Sequence, residues 1–198
     1  TMAATPAFSN RLPSSLAVIV DTAAQGAAGP FRGMEVMGVY TNAQNQLVTL
    51  PNVEYLMPGD LIQFIGKVST FNNGTQLEAT SASSMTILGT RPVPTPAVVP
   101  VGALNDPQRI NIPTTGEQWE NAFVDLQNVT VTEVILFGGN RVSFNVVDGN
   151  GNKINVSDRF LAQKLASYQT VNPASPQTTG QFVPPVPGTF YSSLKGMI

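Results

Sequence analysis

Short β-prone stretches rich in apolar residues recur along the whole chain, separated by turn-forming residues, and apolar and polar positions alternate in some of them. In the first half they cover residues 34–40, 46–50, 61–69, 76–82 and 85–88. In the second half they cover residues 123–134, 142–146, 153–156 and 191–198. Short runs of this kind, with Gly, Pro and Asn between them, are typical of β-strands joined by tight turns. The pattern therefore predicts an all-β protein.

Local features of these runs predict where the strands are irregular and which face is buried. Gly66 lies inside one run, where a glycine favours a bulge or a barrel corner. The alternation of residues 123–134 changes phase near Gln127 and Asn128, as a bulge requires. In residues 142–146, the apolar positions share one strand face and the polar positions Ser143 and Asn145 share the other.

Only one stretch has helical spacing. Ser157 or Asp158 can cap residues 159–167, in which apolar residues recur at helical intervals. A long bulged strand, a hairpin, one short helix and further strands follow one another in the order of an OB-fold barrel. The sequence therefore predicts two tandem small OB-like β-barrels, the second with one short helix. A β-sandwich is the alternative.

Proline-rich segments set the expected domain boundaries. Residues 91–100 contain four prolines, which favour an extended, semi-rigid connector. We expect an N-terminal arm with a possible donor strand, a first barrel, a linker and a second barrel, at residues 1–32, 33–90, 91–116 and 117–198.

Composition and charge restrict the classes of function. Charged residues make up 11% of the chain, and Cys and His are absent. Thiolate nucleophiles, disulfides, cysteine-ligated zinc and histidine acid–base chemistry are therefore excluded. The ten basic residues lie singly, without the clustered positive face that phosphate binding requires, and no apolar run approaches the length of a membrane span. We expect a non-enzymatic extracellular or cell-surface protein without a cofactor.

Several motifs resemble a known family. Leu56–Val68 resembles the core of OB-like modules in bacterial secreted nucleases and related extracellular surface proteins. Glu117–Val131, Val146–Gly151 and Tyr191–Ile198 are similar to the opening, the turn and the closing strand of the adjacent module. The resemblance implies an OB fold over residues 33–198, with nuclease chemistry in a separate domain. It also implies a further β-segment after the last matched strand, so the second barrel is expected to be one strand short.

Two groups of oxygen ligands are candidates for chemistry. Asp148–Asn152 has the alternating oxygens of a calcium loop, but it lacks the closing Glu, and a plain hairpin turn is favoured. Glu117, Glu120 and Asp125 could supply a carboxylate pair, although a solvated strand start is favoured over catalysis.

Four aromatic residues could form a base-stacking platform of the kind that OB-folds use for single strands. They are Tyr40, Phe64, Phe71 and Trp119. Core packing is the default interpretation of each. An extracellular module that binds single-stranded nucleic acid or carbohydrate, accessory to a secreted nuclease, is the alternative function.

The N-terminal segment carries the functional hypothesis. Residues 15–21 form an apolar, β-prone run that is either the first strand of the first barrel or a strand donated to the open edge of a neighbour's second barrel. In the second case, copies of the chain would polymerise head to tail as an extracellular structural subunit. The residues expected to carry this contact are Leu16, Val18, Val20, Tyr191, Leu194 and Ile198.

Overall fold

The computed structural model describes residues 5–6, 16–19, 28–56, 59–71, 74–137, 141–157 and 185–198. The chain divides into two compact units. Unit 1 comprises residues 1–97, 119–123 and 197–198, and unit 2 comprises residues 98–118 and 124–196. Strands dominate both, with one short α-helix, α1 (Pro113–Gly116), among the described residues. The predicted all-β class is confirmed.

Nine strands precede the proline-rich segment. They are β1 (Thr5–Pro6), β2 (Leu16–Ile19), β3 (Gly33–Met37), β4 (Val39–Thr41), β5 (Leu47–Thr49), β6 (Asp60–Phe64), β7 (Gly66–Phe71), β8 (Gly74–Ala79) and β9 (Met85–Thr90). They form a five-stranded sheet in the order β1-β2-β3-β8-β7 and two-stranded sheets β4-β5 and β6-β9. Strands β3 and β8 run parallel, and all the other pairs are antiparallel.

The irregularity predicted near Gly66 lies at the junction of β6 and β7. Strand β6 pairs with β9 and β7 pairs with β8, so the chain changes partner at Ile65. The Ile65 N–H donates to the Ser84 carbonyl over 2.8 Å. On the opposite strand a five-residue turn, residues 80–84, lies between Ala79 and Met85. The Ser84 hydroxyl accepts the N–H groups of the first two turn residues, which holds the excursion in place.

The core of unit 1 lies between its strands and a 3₁₀ turn, Val53–Tyr55. Six buried residues form it: Val36, Leu50, Val53, Leu56, Ile62 and Ala79. Five half-buried side chains pack against this cluster: Met34, Tyr40, Phe64, Leu77 and Met85. The burial of these apolar side chains is the main favourable term for folding this unit.

The remaining strands form a second five-stranded sheet. They are β10 (Ala97–Val98), β11 (Phe123–Phe137), β12 (Arg141–Val147), β13 (Lys153–Ser157) and β14 (Phe190–Met197). The sheet order is β10-β11-β12-β13, and β14 also pairs with β11. Short 3₁₀ turns occur at Val101–Ala103 and Glu117–Trp119. The helix expected at residues 159–167 lies outside the described residues.

Strand β11 changes phase where the sequence predicts it. Val124 and Leu126 are buried, and the next two residues, Gln127 and Asn128, are both exposed. Val129 and Val131 are buried again, and the pairing with β12 then shifts register between Val131 and Glu133. The backbone of Asn128 has a φ of 54°, a left-handed conformation that Asn adopts more readily than most residues. The strand therefore keeps one apolar face on both sides of the irregularity.

None of the sheets formed by the described residues closes into a barrel. The described strands thus form open sheets where the sequence predicted two OB-like barrels. Closure needs a continuous ladder whose first and last strands pair. In unit 1, the change of partner at Ile65 splits the pairing between separate sheets.

Candidate functional site

The predicted donor strand is paired within its own chain. Leu16 and Val18 lie in β2, which runs antiparallel to β3 with Leu16 opposite Val36 and Ala17 opposite Glu35. Strand β1 adds to the other side of β2. This register matches the interpretation of residues 15–21 as a first strand of the unit 1 sheet. Val20, the third predicted residue of the arm, lies outside the described residues.

The predicted acceptor residues lie at the C-terminal end of the chain. Tyr191 and Leu194 are half-buried in β14, whose only partner among the described strands is β11. Ile198 follows β14, and its N–H donates to the Ala122 carbonyl over 3.1 Å while its own carbonyl accepts the Asn121 N–H over 2.8 Å. The second edge of β14 therefore has no strand partner in the part of the chain that the structure describes.

A buried carboxylate links β14 to β11. The Asp125 side chain is buried, and its Oδ1 accepts the Ser193 hydroxyl over 2.7 Å. The Gln127 amide donates to the other carboxylate oxygen over 3.4 Å. Two residues before Ser193, burial raises the pKa of the Tyr191 phenol, because desolvation disfavours its ionised form. The hydrogen bond between Ser193 and Asp125 stabilises the β14–β11 pair.

Exposed apolar side chains mark the last strand of the unit 1 sheet. Strand β7 pairs with β8 on one side and ends the five-stranded sheet. Val68 is 64% exposed and Phe71 is 62% exposed, and Ile65, immediately before the strand, is 65% exposed. Apolar residues on an open sheet edge favour pairing with another strand. Sequence reasoning missed this edge because it assigned the segment to a closed barrel.

A polar network that the sequence analysis did not identify crosses three strands of the second sheet. Glu133, Asn145 and Asn155 lie opposite one another on β11, β12 and β13. Asn145 is only 8% exposed. Its Nδ2 donates to the Glu133 carboxylate over 2.8 Å, and its Oδ1 accepts Asn155 Nδ2 over 2.9 Å and an Arg109 guanidinium N–H over 3.0 Å.

The members of this network satisfy one another. Asn155 Nδ2 also donates to the Ser143 hydroxyl over 3.1 Å, so the amide of Asn145 and the neighbouring buried hydroxyl both have partners. A polar group buried with its hydrogen bonds made stabilises a unique arrangement of strands. The alternation of Ser143 and Asn145 with apolar residues was the one signal in the sequence, and it predicted a polar face without predicting its burial.

The candidate calcium loop is folded around its own carboxylate. Asp148 Oδ1 accepts the N–H groups of Asn150 and Asn152, each over 2.9 Å. The other oxygen, Oδ2, accepts the side-chain amide of Asn152 over 2.9 Å. This arrangement is that of an Asx turn, which matches the favoured interpretation as a hairpin turn. Among the described residues, no three carboxylates come together to hold a metal ion.

The other candidate residues are divided among separate local roles. Tyr40 and Phe64 pack on the unit 1 core, as the default interpretation predicts, while Phe71 is exposed and Trp119 is half-buried. The Glu120 carboxylate accepts the Thr75 N–H over 2.8 Å. Two of the four residues of the expected stacking platform, Tyr40 and Phe64, therefore pack on the core.

The comparisons with known proteins give no relative. No protein family, curated protein or solved structure matches the chain. The resemblance to OB-like modules of secreted nucleases and surface proteins thus stays a prediction. Among the described residues, no helix is both long enough and apolar enough to cross a membrane.

Proposed function

We propose that the chain is a non-enzymatic extracellular structural subunit that assembles with copies of itself by exchanging its N-terminal strand. The observation that carries this proposal is the pairing of β2 with the edge of β3 over four residues. Residues 20–32 connect the two strands, and this stretch is long enough in sequence for β2 to reach a neighbouring copy. An extracellular site is consistent with the low charge and the absence of cysteine.

Such an exchange costs little free energy, because the main-chain pairing of β2 with β3 is kept. The ladder between β2 and β3 is formed by backbone groups that every copy of the chain carries, and the opposed residues are the same in either case. Exchange of an identical element between copies keeps the native contacts and is a known route to oligomers. If each arm is donated onward rather than returned, the contact is heterologous and builds a filament.

The acceptor of the donated strand has two candidate positions. The edge of β3 is favoured, because its register with β2 is formed in the chain itself. The second edge of β14, which includes Tyr191 and Leu194, is the acceptor that the sequence predicted, and it has no partner among the described strands. Both positions predict assembly that depends on residues 1–21, and they differ in which residues meet.

The absence of cysteine allows a clean test. Ala17→Cys in one preparation and Glu35→Cys in another place single thiols at opposed positions of β2 and β3. After mixing and mild oxidation, exchange onto β3 predicts a disulfide between an Ala17→Cys chain and a Glu35→Cys chain. A pairing of Ala17→Cys with Ser192→Cys would instead indicate β14 as the acceptor.

Assembly itself is measured on the unmodified chain by electron microscopy and light scattering. We expect polymers for the full chain and monomers for a chain without residues 1–21. Monomers in both preparations would overturn the proposed function. Assembly that persists at high salt is also expected, because main-chain hydrogen bonds are not screened as phosphate contacts are.

The alternative of a nucleic-acid or carbohydrate module has weaker support. Two of the four aromatic residues of the expected platform pack on the core. The polar network around Asn145 uses its groups internally. Loss of single-strand affinity with rising salt would be the signature of that alternative.

A further inference from the structure

We infer that the outer edge of β7 is a second, self-complementary interface, at which two copies of the chain pair β7 with β7 in antiparallel orientation about a twofold axis at Val68. This contact is distinct from the proposed exchange of the N-terminal arm and does not depend on it. Three features of β7 support this contact: the direction of its main-chain hydrogen-bonding groups, its exposed apolar residues and its single charged residue.

The register of the hairpin between β7 and β8 determines which residues of β7 direct their N–H and C=O groups to the outer edge. Phe71 lies opposite Gly74, and Thr70 lies opposite Thr75. The Thr75 N–H donates to the Glu120 carboxylate over 2.8 Å, and the Thr75 carbonyl accepts the Asn121 side-chain amide over 3.4 Å. Thr75 therefore directs its backbone groups away from β7.

Opposed residues of an antiparallel pair either exchange both hydrogen bonds or direct both sets of groups outward. Since Thr75 directs its groups outward, Thr70 does so as well. The alternation along the strand then assigns the same outward direction to Val68 and Gly66. No strand in the described part of the chain pairs with the outer edge of β7, which thus presents the N–H and C=O groups of these three residues.

Three outward residues at equal spacing suit a symmetric partner. If Val68 lies opposite Val68 of a second copy, Gly66 lies opposite Thr70 of that copy, and Thr70 lies opposite its Gly66. Each of these pairs brings outward groups together, so about six main-chain hydrogen bonds form. No outward group within the strand is left without a partner at this register.

The same register brings the exposed apolar residues together. Val68 meets Val68, and Ile65 meets Phe71 at both ends of the pair. These side chains are 64%, 65% and 62% exposed in the single chain. Cross-strand pairs of aromatic and β-branched residues stabilise a sheet. All three exposed apolar residues are therefore covered by one contact.

The charge on the strand selects this register over a neighbouring one. Lys67 is the only charged residue of β7. A twofold axis at Lys67 keeps the hydrogen-bond phase but places two lysines directly opposite each other, which destabilises a strand pair. With the axis at Val68, Lys67 lies opposite Ser69 of the second copy. An axis at Ser69 places Lys67 opposite Phe71 and loses the apolar pairs.

The expected contact is small. A single pair of six-residue strands buries less surface than the ~1,600 Å² of a standard stable interface. We therefore expect weak dimers of free chains. The contact strengthens when copies are already linked by another interface, because the second binding event is then intramolecular.

Single-cysteine variants test the register in the full chain, which has no cysteine of its own. Lys67→Cys, Val68→Cys and Ser69→Cys are oxidised mildly at equal concentration, and the rate of disulfide-linked dimer formation is measured. We expect Val68→Cys to dimerise about tenfold faster than either neighbour, because opposed Cα atoms of a hydrogen-bonded pair lie within disulfide range. Thr86→Cys, on exposed β9, supplies the surface control.

The outcomes separate this inference from the proposed function. The fastest disulfide-linked dimer formation at residue 68 supports the β7 contact, whether or not deletion of residues 1–21 abolishes polymers. A maximum at residue 67 or 69, or rates equal to that of Thr86→Cys, overturns it. The β7 variants do not test the arm exchange, which is tested by the Ala17→Cys and Glu35→Cys pair.

A proline substitution gives an independent measurement. Val68 does not use its N–H in the ladder with β8, so Val68→Pro removes a group needed only by the second copy. Val68→Thr keeps the N–H and serves as the matched control. By sedimentation equilibrium we expect Val68→Pro to weaken self-association at least about tenfold relative to Val68→Thr, with unchanged circular dichroism. Equal association of two folded variants would overturn the inference.

Discussion

Arg109 and Asn145 join a loop of unit 2 to the middle of strand β12. The Arg109 guanidinium donates to Asn145 Oδ1 over 3.0 Å, across 36 residues of sequence. Arg109 also has a φ of 65°, in the left-handed region. The carboxylate of Asp106 shapes this loop by accepting the N–H groups of Gln108 and Ile110. A favourable contact and an unfavourable backbone conformation therefore occur at the same residue.

Substitution of Arg109 separates these two effects. Arg109→Ala and Arg109→Gly both remove the hydrogen bond to Asn145, but only Ala retains the cost of a side chain in the left-handed region. We expect both variants to be less stable than the parent, with Gly more stable than Ala by about 1 kcal/mol in the free energy of unfolding by urea.

The neighbouring residue provides the control for this comparison. Gln108 is exposed and is not among the residues with positive φ. At this position Gln108→Ala should be at least as stable as Gln108→Gly, which reverses the order expected at Arg109. An Arg109→Ala variant as stable as Arg109→Gly would contradict the role assigned to the backbone.

Gly66 is required by the close approach of β7 to β8. A Cβ at this position would overlap the Glu78 carbonyl oxygen and lie 2.7 Å from a ring carbon of Phe64. We expect Gly66→Ala to lower the free energy of unfolding by about 2 kcal/mol, because a packed backbone must move. Gly196→Ala in β14 is the matched control, since a Cβ there meets no atom within 4 Å. Equal shifts in the urea midpoint would contradict this explanation.

The hydroxyl of Ser193 is expected to stabilise the β14–β11 pair. Among the described residues, its removal leaves the buried Asp125 carboxylate with the longer contact to Gln127 alone. Ser193→Ala should therefore cost about 2 kcal/mol in the free energy of unfolding, as expected for a hydrogen bond to a charged group. Ser192→Ala, one residue earlier and exposed, should have little effect. Similar losses for both variants would show that the contact does not contribute.

Local pattern predicted the strands and their irregularities well. The alternation around residues 142–146 predicts β12 and its buried apolar face, although the face with Ser143 and Asn145 is buried as well. The sequence also predicts the phase change near Asn128, since two successive polar residues, Gln127 and Asn128, interrupt the alternation of β11, and both are exposed. Both signals are contained in a few consecutive residues.

Long-range pairing could not be predicted in the same way. The parallel pairing of β3 with β8 and the contact of Arg109 with Asn145 join segments about forty residues apart, and neither leaves a local pattern. The expected barrels failed for a related reason. The sequence of the five-residue turn, residues 80–84, does not show that the chain changes strand partner at Ile65, although Gly66 predicts an irregularity there.

Tyr191 predicts a loss of stability at alkaline pH. Burial raises the pKa of its phenol above the ordinary value of 10.0, so the folded chain retains this proton to a higher pH than the unfolded chain does. Because the unfolded state then binds fewer protons, the contribution of Tyr191 is complete below pH 10.0 and is lost as the pH rises through the folded pKa. Tyr191→Phe removes the ionisable group and should show a shallower fall in the urea midpoint above pH 10.0. Tyr55→Phe, at a residue that is 72% exposed, controls for the removal of a surface phenol. An unchanged alkaline slope in Tyr191→Phe would contradict the assigned effect of burial.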